Sequence, residues 1–414
     1  MVARKGYKLT EVGEIPEDWE IVQLDDIAKV TSGKRLPSGF SVTKYETPHP
    51  YIRVSDMQPG NVSTENIMYV PINAAEHIKQ YRIYKGDLFI SVAGTLGIVG
   101  KIPPELNGAN LTENADRITE IRCDKSFLLY ILLSPHTQSV IDSIRTVGAQ
   151  PKLALGRIRK FDIPLPPTEK EQNAIATALS DADTLIDALE QSIAKKRQIK
   201  QGAMQELLTG KKRLPGFAGK WSVKQLGDVG QIKSGGTPST LRADFWDGEI
   251  PWCTPSDLTN LTCSKLLTQT SRSISQYGLK FSSAEIIPKR SLIMTTRATI
   301  GECAINSVPM TTNQGFKNIV PFADVNVDFL YYLMSTQKNR LVSLCGGSTF
   351  LEMGKTQLLS FEILMPDYNE QTAIANILSD MDDEIAALEA KLAKARQIKI
   401  GMMQELLTGR IRLV

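Results

Sequence analysis

The chain has 414 residues, enough for two or three domains, and its 42% hydrophobic and 22% charged residues exclude a disordered chain. Its longest apolar run, residues 128–133, is far shorter than the roughly 20 residues of a membrane-spanning helix. Residues 1–8 are not followed by an apolar stretch, so we expect a cytoplasmic protein without a secretory signal. The net charge is only +3, so nucleic-acid binding would need local positive charge or further subunits.

The cysteines and histidines argue against disulfides and metal sites. The cysteine count is odd and no pair has Cys-x-x-Cys spacing, which predicts free thiols, buried or half-buried. Three widely separated histidines leave little for metal binding or histidine-based catalysis. The residues concerned are Cys123, Cys253, Cys263, Cys303 and Cys345, with His49, His77 and His136.

The first 167 residues mix short β-like runs with loops rich in Gly, Pro, Ser and Thr. Strands are predicted at residues 51–54 and 88–92, and a helix at residues 127–133. The pair Pro166 and Pro167 ends this region.

A long helix is predicted after these prolines. Thr168 and Glu171 have the spacing of a capping box, in which Thr168 accepts a backbone hydrogen bond and the Glu171 side chain reaches back. Gly210 occupies the position of a helix C-cap. Gly202 lies inside the helical pattern and marks either a close helix contact or a kink.

The second half has the same order of elements. Strands are predicted at residues 292–296 and 361–365, a helix at 329–334, and a second long helix from Asp367. The apolar residues of both long helices follow the four–three spacing of a coiled-coil seam. These residues are Ile175, Leu179, Ala182, Ile186, Leu189 and Ile193 in the first helix, and Ile374, Leu378, Met381, Ile385, Leu388 and Leu392 in the second.

The two halves are an internal duplication. Residues 172–214 align without gaps on residues 371–413, with about 28 identical positions. The preceding regions match more loosely: 19–33 with 221–235, 50–57 with 251–258, 85–97 with 289–301 and 127–134 with 329–336. Near-identical helices beside diverged globular parts predict two readers of different targets.

The predicted fold class is α+β, with two pseudo-symmetric α/β domains separated by a long antiparallel two-helix coiled coil. The domains are expected at residues 1–167 and 215–366, and the helices at 168–214 and 367–414. Alternatively, the helices are only a spacer or a dimerisation coil. Their basic clusters, Lys195, Lys196, Arg197 and Lys200 with Lys394, Arg396 and Lys399, are either a solvated face or lie near phosphate or a partner.

The loops of both domains carry side chains that suit DNA bases and phosphates. Arginine pairs with guanine, Asn or Gln with adenine, and hydroxyls with phosphates. In domain one these are Lys34, Arg35, Lys44, Arg53, Thr95, Asn110, Thr112, Asn114 and Arg117. In domain two they are Thr237, Ser239, Thr240, Arg242, Thr254, Ser256, Arg297, Thr299, Thr311, Thr312, Asn313, Gln314 and Lys317. Trp19 and Trp221 are predicted in the cores, whereas Trp246 and Trp252 fit either a core or a surface.

The sequence contains no motif of a catalytic site. Residues 347–356 resemble a P-loop, but six residues instead of four separate its two glycines. No Gly-x-Gly-x-x-Gly after a strand, no Asn-Pro-Pro-Tyr type tetrapeptide, no Asp…Glu-x-Lys pattern and no His-Glu-x-x-His is found.

The chain resembles the specificity subunit of a type I restriction–modification enzyme over nearly its whole length. The resemblance depends on the duplicated pattern Q-x-A-I-A-x-x-L-S-D-x-D…L-E…R-Q-I-K-x-G-x-M-Q-E-L-L-T-G and on residues 13–19 and 213–221. Residues 234–238, 250–257, 297–301 and 312–316 add phrases of a target-recognition domain. Residues 32–36 and 93–97 match them more weakly.

This resemblance implies that each domain reads one half of a bipartite, asymmetric DNA site while the helices set the spacer. Two methyltransferase subunits would dock on the helices and methylate adenine with S-adenosylmethionine. Two ATP-driven motor-nuclease subunits, with Mg²⁺, would complete the restriction form. The chain itself would hold no cofactor, metal or active site. A stand-alone nuclease or methyltransferase, and a scaffold whose two heads bind proteins, remain the alternatives.

Overall fold

The structure is a computed structural model that describes residues 4–144, 152–261, 264–297, 299–345 and 352–413. It divides into unit 1, Met1–Ala188 with Leu392–Val414, and unit 2, Leu189–Lys391. Each unit therefore combines one globular region with the first part of one long helix and the last part of the other.

Unit 1 contains two four-stranded sheets and several helices before its first long helix. Its strands are β1 Tyr7–Thr10, β2 Gly13–Pro16, β3 Glu20–Gln23, β4 Lys29–Ser32, β5 Pro50–Ile52, β6 Met57–Gln58, β7 Asn61–Val62, β8 Met68–Tyr69, β9 Arg82–Ile83, β10 Leu88–Ser91, β11 Val99–Lys101, β12 Ala109–Leu111, β13 Ala115–Thr119 and β14 Asp162–Leu165. Its helices are α1 Leu24–Ile27, α2 Ile72–Ala75, α3 Lys125–Leu133, α4 Pro135–Ser143, α5 Leu155–Ile158 and the start of α6 Glu169–Leu207, with 3-10 turns at Val54–Asp56, Glu76–Tyr81 and Pro104–Leu106.

The sheets of unit 1 have the strand orders β11-β10-β13-β4 and β8-β5-β12-β9, and β3 pairs with β14. Strands β5 and β12 are parallel, whereas the other pairs of these sheets are antiparallel. Helix α3 is apolar all round, and Phe127 to Leu132 are all buried between the first sheet and the long helices. The longest apolar run of the sequence is thus a core helix.

Unit 2 repeats this plan. Its strands are β15 Ser222–Gln225, β16 Gly230–Ser234, β17 Trp246–Cys253, β18 Leu266–Leu267, β19 Arg272–Ile274, β20 Leu292–Met294, β21 Cys303–Asn306, β22 Thr311–Thr312, β23 Lys317–Pro321 and β24 Glu362–Met365. Its helices are α7 Leu226–Val229, α8 Pro255–Thr259, α9 Gln276–Lys280, α10 Val327–Ser335, α11 Lys338–Ser343, α12 Lys355–Leu359 and the start of α13 Tyr368–Leu406, with a 3-10 turn at Ala243–Phe245.

The order β16-β23-β20-β21 corresponds to β4-β13-β10-β11 of unit 1, with β18 as an additional edge strand, and β19-β17-β22 corresponds to β8-β5-β12. Strand β15 pairs with β24 as β3 pairs with β14. The parallel pair β17–β22 corresponds to β5–β12. This confirms the predicted pair of α/β domains. The predicted strands and helices all lie within a few residues of observed ones, but most of the short strands and helices, including α4 and α11, were not predicted.

The long helices pack antiparallel in both units. In unit 1 Lys399 of α13 pairs with Asp183 of α6, and in unit 2 Lys200 of α6 pairs with Asp382 of α13. Tyr130 and Tyr332 donate a hydrogen bond to these same aspartates. The basic clusters are therefore not entirely solvated, because Lys200 and Lys399 each form an ion pair between the two helices.

The predicted seam residues differ in burial. Ile175, Leu179, Ile374 and Leu378 are fully buried, and Ile186, Ile193 and Ile385 are buried to more than nine-tenths. Ala182, Leu189, Met381, Leu388 and Leu392 are half-buried. A Cβ at Gly202 or Gly401 would contact nothing within 4 Å, so neither glycine marks a close helix contact.

The ends of the helices correct one prediction. Thr168 accepts from the backbone of Glu171, as predicted, but the Glu171 carboxylate does not reach back to the cap. It forms a bidentate ion pair with Arg412, and the equivalent Glu370 pairs with Arg213. Both carboxylates are almost completely buried, so an ion pair to the other helix's C-terminal segment outcompetes the local cap.

Other expectations have definite outcomes. Gly210 and Gly409 have φ of 67°, as a C-cap glycine requires. Trp19 is fully buried as predicted, whereas Trp221 is only half-buried, although its Nε1 donates to the buried Glu370 carboxylate. Among the described cysteines the thiols are free, and Cys263 and residues 347–351 of the P-loop-like segment lie outside the described residues.

Candidate nucleic-acid interface

Four loops meet at one edge of each globular region. We call them loops A, B, C and D. In unit 1 they are residues 33–49, 53–56, 92–98 and 112–115, and in unit 2 residues 235–242, 254–257, 296–301 apart from 298, and 312–316. They follow β4, β5, β10 and β12 in unit 1 and β16, β17, β20 and β22 in unit 2.

Backbone hydrogen bonds connect loops A and C, and the strand end before loop B, to loop D and the strand end before it, with the same pattern in both units. In unit 1 these bonds run from Gly33 N to Ala115 O, from Lys34 N to Leu111 O, from Thr112 N to Ile52 O and from Val92 N to Asn114 O. In unit 2 they run from Gly235 N to Phe316 O, from Gly236 N to Thr312 O, from Asn313 N to Cys253 O and from Thr296 N to Gly315 O. The pattern of these backbone hydrogen bonds is therefore common to both units, whereas the length of loop A and the side chains of the loops differ.

The glycine that begins loop A is required by this framework. A Cβ at Gly33 would overlap the backbone oxygen of Thr112, and one at Gly235 would overlap that of Asn313. Loop A can lie against loop D only because these two positions have no side chain.

In unit 1, the exposed predicted residues are Lys34, Arg35, Lys44 and Thr95. The Lys34 ammonium lies 5.6 Å from the centre of the Tyr81 ring, and Arg35 pairs with Glu113 of loop D at 2.7 Å. Asn114 is half-buried and Thr112 is buried. These side chains of loops A, C and D share one edge of the unit.

Three predicted residues of unit 1 instead hold the fold together. Arg53 forms a bidentate pair with Asp56, which raises the pKa of Arg53. Asn110 is fully buried and its amide donates to a backbone oxygen. Arg117 donates to two backbone oxygens and to Thr31, and burial lowers the pKa of its guanidinium. In this structure these side-chain hydrogen bonds of all three residues stay within the protein's own fold.

In unit 2, more of the predicted side chains are exposed. The exposed ones are Ser239, Thr240, Arg242, Ser256, Arg297 and Gln314, and Thr237, Thr254, Thr299 and Asn313 are half-buried. Thr237 of loop A donates a hydrogen bond to Gln314 of loop D, and Arg242 pairs with Asp244 at 2.6 Å. Buried Thr312 accepts from Asn318, and buried Thr311 donates to a backbone oxygen, so both serve the framework.

The charges at the centre of the two interfaces are reversed. In unit 2 burial lowers the pKa of Lys317, and the Glu352 carboxylate, which also pairs with Arg297 at 2.7 Å, opposes that effect. The equivalent residue of unit 1 is Asp116, whose pKa is raised by burial and lowered by Ser32 and Lys152. In each unit an opposite charge, Lys152 or Glu352, therefore favours the charged form of the buried group.

An arginine and two tryptophans escaped sequence analysis as a cluster. Trp246 and Trp252 are buried, so their open assignment resolves to the core. The Arg272 guanidinium lies over both rings, 3.7 Å and 5.3 Å from their centres. Strand pairing brings Arg272 beside Trp252 across 20 positions of sequence, and no local pattern signals that contact.

The described residues offer no obvious catalytic chemistry. No cluster of three or more His, Cys, Asp or Glu residues in the described part of the chain could hold a metal ion. Burial raises the pKa of Cys123 to about 12 and also raises that of Cys253, Cys303 and Cys345, so these thiols are not activated nucleophiles. Within the described residues, no helix is long and apolar enough to cross a membrane.

Known proteins with similar sequences are specificity subunits of type I restriction enzymes. The model of the type I restriction modification DNA specificity domain matches twice, at residues 16–201 and 218–397. The MjaIX specificity subunit of Methanocaldococcus jannaschii is 42% identical over 167 residues, which cover 40% of this chain and 38% of that subunit. The putative MjaX specificity subunit of the same organism is 27% identical over 99% of this chain and 97% of its own length.

A solved chain from a type I restriction–modification system shares the fold. It has a TM-score of 0.60 at 17% identity, and the match covers 96% of this chain and 99% of that one. With two copies of the specificity domain over most of its length, the chain belongs to the type I restriction–modification specificity family and is a non-catalytic DNA-recognition subunit.

Proposed function

We propose that each unit reads one half of a bipartite, asymmetric DNA site through its loops A to D. The observation that carries this proposal is the contrast inside each loop cluster: the backbone hydrogen bonds are the same in both units, whereas the exposed side chains differ. Loops with the same backbone hydrogen bonds but different exposed side chains suit two related domains that recognise different DNA sequences.

The exposed side chains supply the chemistry that DNA recognition needs. Arg35 and Arg297 can each donate two parallel hydrogen bonds, Gln314 can pair with adenine, and Lys34 can contact phosphate. The two arginines are held by Glu113 and Glu352 in the free protein, so DNA would have to compete with these exposed ion pairs. Such pairs are weak, which makes the exchange feasible.

We further propose the recognition domains at residues 1–167 and 215–366, and the helices at 168–214 and 367–414 as the element that sets the spacer. Helices α6 and α13 each have 39 residues, about 58 Å at 1.5 Å per residue. That length accommodates half-sites about one turn of DNA apart, roughly 34–36 Å. Removal of one heptad from both helices should shorten the spacer and leave both half-sites unchanged.

The same proposal includes partners in the cytoplasm. Two methyltransferase subunits that use S-adenosylmethionine would dock on the helices, and two motor-nuclease subunits that use ATP and Mg²⁺ would complete the assembly. A similar solved chain belongs to work on the assembly of a type I system. The low net charge of +3 fits a complex in which the partner subunits make part of the phosphate contacts.

Adenine methylation across the host genome, with and without this gene, tests the proposal. We expect a gapped two-part motif that disappears when the gene is deleted and returns with the wild-type copy. Loop variants of unit 1, such as Arg35→Gln, should then relax one half of the motif, and Gln314→Ala the other half. An unchanged methylome beside an expressed methyltransferase would favour a protein-binding scaffold instead.

A further inference from the structure

The cluster of Arg272, Trp246 and Trp252 lies between two of the loops of unit 2. The two indole rings meet edge to face, with their centres 4.9 Å apart. Trp246 Nε1 donates to Ser239 O and Trp252 Nε1 donates to Gly236 O, at 3.0 Å and 2.9 Å. The tryptophans therefore pack beneath loop A and hold its backbone in place.

Loop B borders the cluster on the other side. Asp257 of loop B accepts hydrogen bonds from Thr254 N at 2.7 Å and from Ser271 N at 2.8 Å. Ser271 directly precedes Arg272, so the start of β19 is tied to loop B. The Arg272 side chain thus stacks on the tryptophans that hold loop A, and its backbone directly follows a residue bonded to loop B.

The guanidinium of Arg272 is held in place by the tryptophan rings, but its N–H groups donate to no described residue. Its side chain is exposed and stacks on the Trp246 ring at 3.7 Å. Among the described residues, it has neither an ion pair nor a hydrogen-bond acceptor. Other arginines of this interface differ, because Arg242 and Arg297 are paired with Asp244 and Glu352. A stacked guanidinium keeps all its N–H donors in a fixed plane.

We propose that Arg272 is a DNA-contacting residue of unit 2, with its planar edge directed at paired acceptor atoms of DNA. Two sources of such acceptors exist: the O6 and N7 atoms of a guanine, and the oxygens of a phosphate. The inference rests on the proposed DNA reading by loops A to D, and it adds a residue outside those loops. Unit 1 has no equivalent, because its strand register places Met68 where unit 2 has Arg272.

The test uses the full chain assembled with its methyltransferase partner. Arg272→Gln removes the charge, and Arg272→Lys keeps the charge but loses the planar fork. Arg340→Gln is the matched control: Arg340 also lies over an aromatic ring, Phe361 at 4.7 Å, but its N–H groups already donate to Gln337 and to Glu362 O. DNA affinity against salt concentration, the methylated motif and the urea midpoint of each variant are measured.

We expect Arg272→Gln to weaken DNA binding by about 5- to 100-fold relative to Arg340→Gln. If the acceptor is guanine, Arg272→Lys also relaxes one base position in one half-site. If it is phosphate, Arg272→Lys binds nearly normally, while Arg272→Gln weakens all sequences alike and reduces the salt slope by about 1.

Two results would overturn parts of this picture separately. If the wild-type complex methylates a two-part motif and Arg272→Gln binds DNA like the control, the role of Arg272 is wrong and the proposed function stands. If the wild-type complex has no sequence-selective DNA binding, the proposed function is wrong and the role of Arg272 is wrong with it. A urea midpoint of Arg272→Gln equal to that of the wild type separates lost DNA contacts from lost folding.

Discussion

The two units have the same loop framework but opposite charges at its centre. Ser91 and Thr295 each donate a hydrogen bond to the backbone of their own loop C, to Thr95 O and Thr299 O. Against this shared background, the charge of Lys152 lowers the pKa of buried Asp116 in unit 1, whereas the charge of Glu352 raises the pKa of buried Lys317 in unit 2. The comparison indicates that the backbone contacts are constrained residue by residue, whereas the central charges need only be complementary.

The junction between the two long helices varies much less than the loops. Glu171 and Arg412 in unit 1 correspond to Glu370 and Arg213 in unit 2, and both pairs are bidentate. One difference remains, because Arg412 also binds Asp18 at 2.9 Å, whereas Glu370 also accepts from Trp221 Nε1 at 3.1 Å. Unit 1 therefore has a second carboxylate for its arginine, and unit 2 a second donor for its glutamate.

That difference predicts the largest effect on stability. Glu370→Gln should lower the free energy of unfolding by about 2–3 kcal/mol, because it removes the buried carboxylate that pairs with Arg213 through two hydrogen bonds. Glu171→Gln should lower it by about 1 kcal/mol less, because Asp18 still pairs with Arg412. Urea denaturation of the two full-length variants measures both values.

Asp18→Asn combined with Glu171→Gln is the control for this explanation. The double variant should lose about as much stability as Glu370→Gln alone. Equal losses in the two single variants would show that Asp18 does not compensate, and the comparison of the junctions would fail.

Gly235→Ala should have the next largest effect. Its Cβ would displace the backbone of Asn313, so we expect a loss of about 1–3 kcal/mol in stability and a weakened second half-site. Gly33→Ala should act in the same way on unit 1 and on the first half-site. Gly202→Ala, a helical glycine with open space around it, should instead be neutral or slightly stabilising. Thermal unfolding and the methylated motif of each variant check this, and an intact second half-site in Gly235→Ala would contradict it.

The reversed charges predict a smaller effect. A double-mutant cycle with Lys317→Met and Glu352→Gln should give a coupling free energy of about 0.5–1 kcal/mol. The cycle with Asp116→Asn and Lys152→Met should give a coupling of the same sign, although the charges are exchanged. Urea denaturation of the single and double variants provides the values, and a coupling near zero in one unit would show that its charges are not paired.

Sequence analysis predicted the duplicated fold because its signals are local. Capping residues, the heptad spacing and short apolar runs lie within a few positions of each other. It failed where contacts join distant segments: Glu171 was predicted to cap its own helix, but Arg412 lies 241 positions away in the chain. The correspondence between Arg213 and Arg412, both identical in the repeat, was the signal that a cross-helix pair could have used.

The candidate interface was predictable as a set of loops but not residue by residue. Polar side chains in matching loops identify the edge, whereas strand pairing and burial decide which of them remain free. Asn110 and Arg117 became internal hydrogen-bonding groups because their strands are central in the sheets. Arg272 was missed for the opposite reason, since its partners Trp246 and Trp252 lie 20 or more positions away and only strand register brings them together.

The smallest effect is expected where the repeat itself has changed on the helices. In unit 2 Lys196 pairs with Glu384 at 2.6 Å, and both side chains are more than a third exposed. The equivalent positions of unit 1 are Ala395 and Leu185, so the same helix packing forms without that pair. Lys196→Ala should therefore change the free energy of unfolding by less than about 0.5 kcal/mol at about 0.1 M salt, and the change should vanish at about 1 M salt.

Lys200→Ala, which removes the half-buried pair with Asp382 beside Tyr332, should lower the free energy of unfolding by more in the same urea titrations. A larger loss for Lys196→Ala that persists in high salt would mean that unit 2 depends on a surface charge for which unit 1 has no equivalent.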